Sequence, residues 1–485
     1  MSPLLQKQLL IVSNRLPVSI SKEDDIWSAK SSPGGLVTAL EPIMRQTNSV
    51  WVGWPGCAED APAERLLDEL STERYRLKPV ILTENEIARY YRGHANKTIW
   101  PLFHDLLGHF SFNTDNWYAY VDVNRRFAEV ANEQTTDDSF IWIHDYQLLL
   151  VGQFLRELHN EQHLSFFLHI PFPSVDLFRR MPRNREVLEA ILQYDHIGFQ
   201  TSQDRRNFIG CIKWFIPEAK RQNYRRKAII EYNGRQVKVG HYPISIDFNE
   251  FNEGAKDTGV AEAAWYLHEN TRSSKLVLGL DRLDYTKGIP ERFLAFERML
   301  DKYPGIQGNI SLIQVVIPSR LNVPDYQDLK SELDSLAGRI NSRISKHGWI
   351  PIHYQFRELD RVQLLGHYRA CDIALVTPLR DGMNLVAKEY CASSVDDSGV
   401  LILSEFTGAA RQMQKGALIV NPYDIEGTAD AIYAAYIMDA EERRKRMRIL
   451  RSEVKRNDVR RWVTSFMDIG ENHKKVPSEP AAAEN

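Results

Sequence analysis

The sequence predicts an α/β protein made of two doubly wound domains in tandem, and three observations carry that reading. At 485 residues the chain exceeds the roughly 250 to 300 residues at which one hydrophobic core stops growing, so two cores are expected. A short β-branched apolar run, a polar or glycine-containing turn and a stretch with helical spacing recur along most of the length, which is the wiring of a largely parallel sheet. The pattern breaks once, near residues 228–251, and then restarts.

Five runs in the first half read as strands: "QLLIVSNR", "SVWVGWPG", "SFIWIHDYQ", "LSFFLHIPFPS" and "HIGFQTS". Stretches such as "LLLVGQFLREL" and "DRRNFIGCIKWF" follow with helical periodicity. At the break, "AIIEYNGRQVKVGHYPISIDFNEF" holds two β-rich runs around Asn233-Gly234, a strong hairpin signal, and ends in a proline-containing connection. The domain boundary is therefore set at 245, giving a first domain over 1–245 and a second over 246–455. The second half repeats the alternation in "KLVLGLDRLDYTKGIPERFLAFERML", "ISLIQVVIPSR", "IHYQF", "CDIALVTPL", "GVLILSEFTGAA" and "ALIVNPYD". A helix over 456–474 is expected to pack back towards the first domain, and the tail 475–485 has no core-forming residues and is expected to be disordered. The basic stretch "AEERRKRMRILRSEVKRNDVRRWVTSFMDI" reads as a solvated amphipathic helix rather than a nucleic-acid or membrane patch.

Composition narrows the function classes. A charged share of 26% and a net charge of -3 give no broad field for nucleic acid or an anionic membrane, so any anionic ligand must be met by local cations. Cys57, Cys211, Cys371 and Cys391 are too scattered for a metal site or a disulfide framework and read as buried thiols in a reducing compartment. No run approaches the ~20 apolar residues that span a bilayer, and the N-terminal apolar run lacks a basic leader and a cleavage site. The expected location is the cytoplasm.

In open α/β sheets, ligands bind beyond the carboxyl ends of the strands, where helix N-termini offer unsatisfied N–H groups to anions. The polar motifs fall at such ends: Asn14-Arg15, His144-Asp145, His169, Arg282 with Lys287, Arg320, and Asp381 with Gly382 each follow an apolar run, and Gly34-Gly35 sits in a loop before a helix. Arg282 and Lys287 stand in a loop leading to a helix that starts near Pro290, a convergence suited to a diphosphate, although taken alone they could equally be paired with Asp281 and Asp284. In "RDGMNLVAKEY" the turn at Asp381-Gly382 lets the backbone of Gly382, Met383 and Asn384 face a ligand at a helix start. Glu389, one to two turns along, can accept hydrogen bonds from ribose hydroxyls. His169 alone reads as a structural histidine, and Tyr91 and Trp100 alone read as core.

The combination "SNRLPV", "GGLVTAL", "WVGWPG", "YYRGHANKTIWPLFH", "VNRRFAE", "HDYQLLL", "FLHIPFPS", "GFQT", "RLDYTKGIPERF", "VTPLRDGMNLVAKEY" and "GVLILSEFTGAA" closely resembles the trehalose-6-phosphate synthases, in order, from about residue 9 to about residue 470. The resemblance implies the GT-B glycosyltransferase fold, two facing Rossmann-like domains with the active site in the interdomain cleft. It implies retaining transfer of glucose from UDP-glucose to glucose 6-phosphate, with the acceptor on the N-terminal domain and the nucleotide sugar on the C-terminal one. By the same resemblance Arg15 and Arg320 grip the acceptor phosphate, and Tyr91, Trp100 and Asp145 complete the acceptor site. Gly34, Gly35, Arg282, Lys287, Gly382, Met383, Asn384 and the run Leu385, Val386, Ala387, Lys388 and Glu389 form the donor site. His169 and Asp381 hold the transferred glucose and, with Arg282 and Lys287, make up the catalytic set.

The family's site is not thought to supply the carboxylate that double displacement needs. The resemblance therefore favours front-face transfer without a metal or other cofactor. It also implies self-association and, since no "DxDGT"-type motif is present, a separate phosphatase downstream. Pro33 departs from the small residue common in relatives and bears on the donor loop. Two other readings stay open: glucosyl transfer to another phosphorylated acceptor such as glycerol 3-phosphate, which Arg15 and Arg320 would also serve, and a catalytically silent regulator, against which intact Arg282, Lys287, Asp381 and Glu389 argue. The preferred nucleotide is also open, because Glu389 would read ribose and not base.

Overall fold

The computed structural model describes residues 7–31, 35–44, 47–223, 227–271, 273–320 and 323–471. The tail 475–485 and the last residues of the expected helix 456–474 lie outside them. The chain divides into two compact units: the first comprises the described parts of Met1–Ile99, Phe112–Tyr242 and Arg460–Asn485, the second Trp100–Ser111 and Pro243–Val459.

The strands of the first unit are β1 (Gln8–Arg15), β2 (Val18–Glu23), β3 (Ile26–Ser31), β4 (Ser49–Trp54), β5 (Tyr75–Pro79), β6 (Ser139–His144), β7 (His163–Phe167), β8 (His196–Phe199), β9 (Lys220–Asn223), β10 (Lys227–Tyr232) and β11 (Arg235–His241). Nine of them form one sheet in the order β5-β4-β1-β6-β7-β8-β11-β10-β9, parallel from β5 to β11 and antiparallel beyond. β1, β4 and β6 are almost wholly buried, because helices cover both faces of a parallel sheet, and their sequences accordingly read as unbroken apolar runs. The hairpin at Asn233-Gly234 forms as expected, with Asn233 at φ 48° and Gly234 at φ 74° between the paired Tyr232 and Arg235.

β2 and β3 form a separate antiparallel hairpin that the sequence did not announce. Its turn uses Asp24 and Asp25, at φ 47° and 65°, in place of the glycine that usually marks such a turn. The segment Ile87–Ile99 is also unexpected in kind, winding with π-helical geometry.

The second unit carries β12 (Lys275–Arg282), β13 (Ile310–Ile317), β14 (Ile352–Phe356), β15 (Ile373–Val376), β16 (Val400–Ser404) and β17 (Leu418–Val420). They form an all-parallel sheet in the order β14-β13-β12-β15-β16-β17. Counted along the chain this is the 3-2-1-4-5-6 order of a doubly wound nucleotide-binding sheet, whose switch point lies between its first and fourth strands. Here those strands are β12 and β15. In the first unit β1 and β6 hold the same relation, so loops after β1, β6, β12 and β15 are where ligands belong.

One short excursion departs from the sequence reading, which ran the first domain unbroken over 1–245 and expected the helix 456–474 to pack back towards it. Trp100–Ser111 belongs to the second unit, where His109 stacks on Tyr285 at 4.1 Å and Asp105 lies 3.5 Å from Arg380. At the other end, Arg460 onward is counted with the first unit. Phe466, fully buried, stacks on Trp142 at 4.4 Å and on His196 at 4.3 Å. A Cβ at Gly198 would come within 2.6 Å of the Phe466 ring, so glycine in β8 makes the room that ring occupies. Burying such a side chain stabilises by about 1.5–3 kcal/mol.

Candidate functional site

The loop after β12 builds the first cluster. Arg282 ends the strand exposed to solvent. Asp284 then caps the short turn Tyr285–Lys287, its carboxylate accepting from the Thr286 N–H at 3.0 Å. Gly288 follows at φ 61°, where a Cβ would come 2.5 Å from the Thr377 carbonyl, and the helix Ile289–Lys302 begins with Pro290 in its first turn. This geometry delivers the Lys287 ammonium to Asp381, with Nζ 2.7 Å from the carboxylate.

Asp381 also accepts from the Asn384 amide at 3.2 Å. Burial pushes its pKa up, but Lys287, His104 and Asn384 outweigh burial and hold it below the usual carboxylate range. An ionised carboxylate thus faces the loop, compensated by the lysine predicted to share its site.

The segment Gly382, Met383, Asn384 does precede a helix, Leu385–Ser393, but the demanding backbone position is not Gly382. Asn384 adopts φ 71° and caps the helix, accepting from the Ala387 N–H at 3.2 Å. Gly382 is instead pressed by Gly408, at which a Cβ would lie 1.9 Å from the Gly382 carbonyl oxygen. The first N–H groups of the helix, at Leu385 and Val386, have no acceptor within it. Along the helix Ala387 is fully buried, and Glu389 accepts from the Tyr368 hydroxyl at 2.6 Å, with burial raising its pKa against that bond. Lys388 turns inward: its ammonium donates to the Ile244 carbonyl at 2.7 Å and burial pushes its pKa down to about 7. Its side chain therefore does not join the donor run in which the sequence placed it.

Arg320, beyond β13, sits at φ 52°. Its guanidinium lies over Trp100 at 4.8 Å and over Tyr326 at 5.4 Å, donates to the Tyr326 hydroxyl, and is 3.7 Å from Asp284. Trp100, expected in the first domain, is thus Arg320's neighbour in the second unit. Asp284 is nearly inaccessible. Burial raises its pKa, yet Arg320, Lys287, the Thr286 N–H and Arg282 together hold it low, so three predicted cations surround the carboxylate that the sequence offered only as an alternative partner for Arg282 and Lys287. Tyr326 and His104 carried no such signal in the sequence.

In the first unit Arg15 ends β1 and donates to the Ser19 hydroxyl at 2.8 Å. It stacks over Trp54 at 4.7 Å, and Trp54 meets Tyr91 edge-on at 5.5 Å. Burial lowers the Arg15 pKa, and the neighbouring Tyr91 and Cys57 pull it partly back up. Gly56, at φ 90°, leaves space for that guanidinium, since a Cβ there would lie 2.2 Å from it. Cys57 beside it is only partly buried, unlike the other three cysteines and contrary to expectation. Trp54, which lies within the quoted run "WVGWPG" but was not singled out there, is the ring that joins Arg15 to Tyr91.

Asp145, directly after β6, takes φ 76° and accepts from the His169 N–H at 3.1 Å. The His169 ring meets His144 Nδ1 at 3.1 Å and Gln200 at 3.4 Å, and burial pushes its pKa down to about 3. It is therefore a neutral hydrogen-bonding ring at ordinary pH. Gly35 is the exposed first residue of the helix Gly35–Met44. Gly34 and Pro33 lie outside the described residues. Among the described residues no group of three or more His, Cys, Asp and Glu could hold a metal ion, and no helix is long and apolar enough to cross a membrane.

Comparison with known proteins gives consistent results. The family model described as glycosyltransferase family 20 matches residues 7–471. The chain is 40% identical over 484 residues to a trehalose-6-phosphate synthase of Mycolicibacterium gilvum (strain PYR-GCK), covering 98% of this chain and 96% of the relative. Among solved structures it is similar to an alpha,alpha-trehalose-phosphate synthase (UDP-forming) from Burkholderia xenovorans in complex with glucose-6-phosphate, with TM-score 0.87 and 33% identity over 96% of this chain and 100% of that one. A second, described as "Trehalose-6-phosphate from E. coli bound with UDP-2-fluoro glucose", aligns with TM-score 0.86 and 34% identity over 96% of this chain and 99% of its own.

Proposed function

The chain belongs to glycosyltransferase family 20, and on that footing we propose that it makes trehalose 6-phosphate from UDP-glucose and glucose 6-phosphate, releasing UDP. The observation that carries the reading is the cluster around Asp284. Arg320, Lys287 and Arg282 converge on one buried carboxylate at the switch point of a nucleotide-binding sheet, so a phosphate monoester on Arg320 and a diphosphate on Lys287 and Arg282 fit the same neighbourhood. Guanidinium groups make charge-assisted bonds to a phosphate that a neutral sugar cannot form, which favours a phosphorylated acceptor over free glucose.

Transfer proceeds with retention. The bond from the anomeric carbon to the diphosphate oxygen breaks as the bond to the acceptor hydroxyl oxygen forms on the same face. The acceptor's proton passes to the departing diphosphate oxygen. Arg282 and the Lys287 ammonium stabilise the charge that grows there, and the first N–H groups of the helix Leu385–Ser393 add to it. Asp381, kept ionised by Lys287, accepts from hydroxyls of the transferred glucose, and neutral His169 holds another. Glu389 accepts from the ribose hydroxyls. Arg320 meets the acceptor phosphate in the second unit, and the resemblance assigns Arg15, Tyr91 and Asp145 of the first unit to the acceptor as well. Release of a phosphorylated product calls for a separate phosphatase, and the enzyme works in the cytoplasm as a self-associated species.

A coupled assay of UDP release, run with glucose 6-phosphate, with glycerol 3-phosphate and without acceptor, tests this. Release is expected only with glucose 6-phosphate, together with a non-reducing phosphorylated disaccharide by NMR. Turnover with glycerol 3-phosphate alone, or with neither, would overturn the acceptor assignment.

A further inference from the structure

The guanidinium of Arg292 is the largest buried charge that the proposed reaction leaves unused. Its side chain has no exposure, so it cannot touch a substrate arriving from solvent. A buried arginine is tolerated only when its N–H groups are satisfied, and here the partners are informative. Nη1 donates to the Asp281 carboxylate and, at 3.0 Å, to Gln314; Nε donates to the Thr377 hydroxyl at 3.1 Å; Nη2 donates to the Lys287 carbonyl at 3.3 Å.

Asp281 directly precedes Arg282 in β12. Lys287 is the residue whose ammonium meets Asp381. Thr377 directly follows β15 and opens the segment that leads to Asp381. One planar group therefore fastens the roots of both loops at the switch point. Gly279 is part of the arrangement, since a Cβ there would fall 2.1 Å from Gln314 Oε1 and 2.9 Å from Arg292 Nη1.

We infer that Arg292 is a positioning residue for the donor site: from inside the core it sets the spacing of Arg282, Lys287 and Asp381 to the dimensions of a sugar diphosphate. The inference rests on the proposed function only in taking Arg282 and Lys287 as the diphosphate ligands. A lysine reproduces the charge but not the fork that reaches Asp281, Thr377 and the Lys287 carbonyl together. Displacements near 1 Å at such positions cost about 100-fold in catalysis.

The test compares wild type with Arg292→Lys and with Thr377→Val, which removes one of the four anchors. It measures UDP affinity by calorimetry, KM for each substrate, kcat and thermal stability. Arg292→Lys is expected to weaken UDP binding about 10-fold or more and to lower kcat, with the KM for glucose 6-phosphate unchanged within about twofold; Thr377→Val weakens UDP by about threefold. A lowered melting temperature with wild-type UDP affinity in the folded protein would mark a merely structural role and overturn the inference. Should Arg292→Lys fail to fold, Thr377→Val decides alone, and unchanged UDP affinity there overturns it as well. Failure of the wild type itself to bind UDP would instead overturn the proposed function, which separates the two.

Discussion

Arg320 shows how much a single side chain depends on its surroundings. Laid between the faces of Trp100 and Tyr326 and backed by Asp284, the guanidinium is held in one orientation before any phosphate arrives, so little conformational entropy remains to be lost on binding. Replacing it by leucine removes charge-assisted bonds and leaves the buried Asp284 without its foremost cation. For Arg320→Leu the expected result is a fall of about 10²- to 10⁴-fold in kcat/KM for glucose 6-phosphate, from two bonds of roughly 1.5–3 kcal/mol each. UDP affinity falls less than this, because Lys287 and Arg282 remain and only their shared carboxylate Asp284 couples them to the loss. Tyr326→Phe keeps the ring and removes the hydroxyl that Arg320 meets, and should cost about tenfold on the same axis. Equal losses for donor and acceptor in Arg320→Leu would place this arginine in the donor site instead.

At the level of elements, the loop 381–384 is held from one side by Lys287 and from the other by the turn after β16. The Gly408 N–H donates to the Asp381 carbonyl at 3.1 Å and the Ala409 N–H to the Met383 carbonyl at 3.0 Å. A methyl group at 408 would press on the Gly382 carbonyl, a backbone atom that cannot swing aside. Gly408→Ala should therefore weaken UDP binding about tenfold and destabilise by about 1–3 kcal/mol. Gly305→Ala, where a Cβ meets nothing within 4 Å, serves as the control and should leave binding unchanged. Calorimetry and thermal unfolding read both, and equal behaviour of the two variants would refute the account.

The same loop shows what the sequence could and could not reveal. That a turn with a glycine at 382 separates a strand from a helix was legible. That the crowding falls on Gly408 and the unusual φ on Asn384 was not, because both follow from where a distant turn comes to rest. The central parallel strands were legible, since burial on both faces writes itself as an apolar run. The β2–β3 hairpin, turned by two aspartates, was not. Arg282, Lys287 and Arg320 announced themselves by lying at strand ends, with Asp284 visible beside two of them as a possible partner, whereas Tyr326 and Arg292 gain meaning only from partners that the fold supplies.

For the molecule as a whole, buried histidines set the response to acid. His94 and His169 are pushed by burial to about 3 and His104 to about 4, all from 6.5, and His144 is lowered well below it. A histidine whose folded pKa is depressed binds its proton only in the unfolded chain between the two values, so stability is full above about pH 6.5 and is lost as pH falls towards 3 to 4. Each such group contributes up to about 1.4 kcal/mol per pH unit in that window. The carboxylates Asp284 and Asp381, held low by their cations, act in the same direction only at still lower pH, while Asp105 and Glu389, raised by burial, act against it. The apparent melting temperature should thus fall gently from pH 8 to about 7, where Lys388, lowered to about 7 by burial, still takes up its proton only on unfolding, and more steeply below about 6.5 as the histidines join it. His94 isolates the cause. It is fully buried against the rings of Phe112, Trp117 and Tyr120, and among the described residues neither ring nitrogen has a hydrogen-bond partner. His94→Phe keeps a ring in the same cage and removes one proton from the balance. The variant should lose about 1.4 kcal/mol less than wild type for each pH unit between about 6 and 4, read from denaturant unfolding at fixed pH values. Parallel acid profiles for variant and wild type would show that protonation of His94 plays no part.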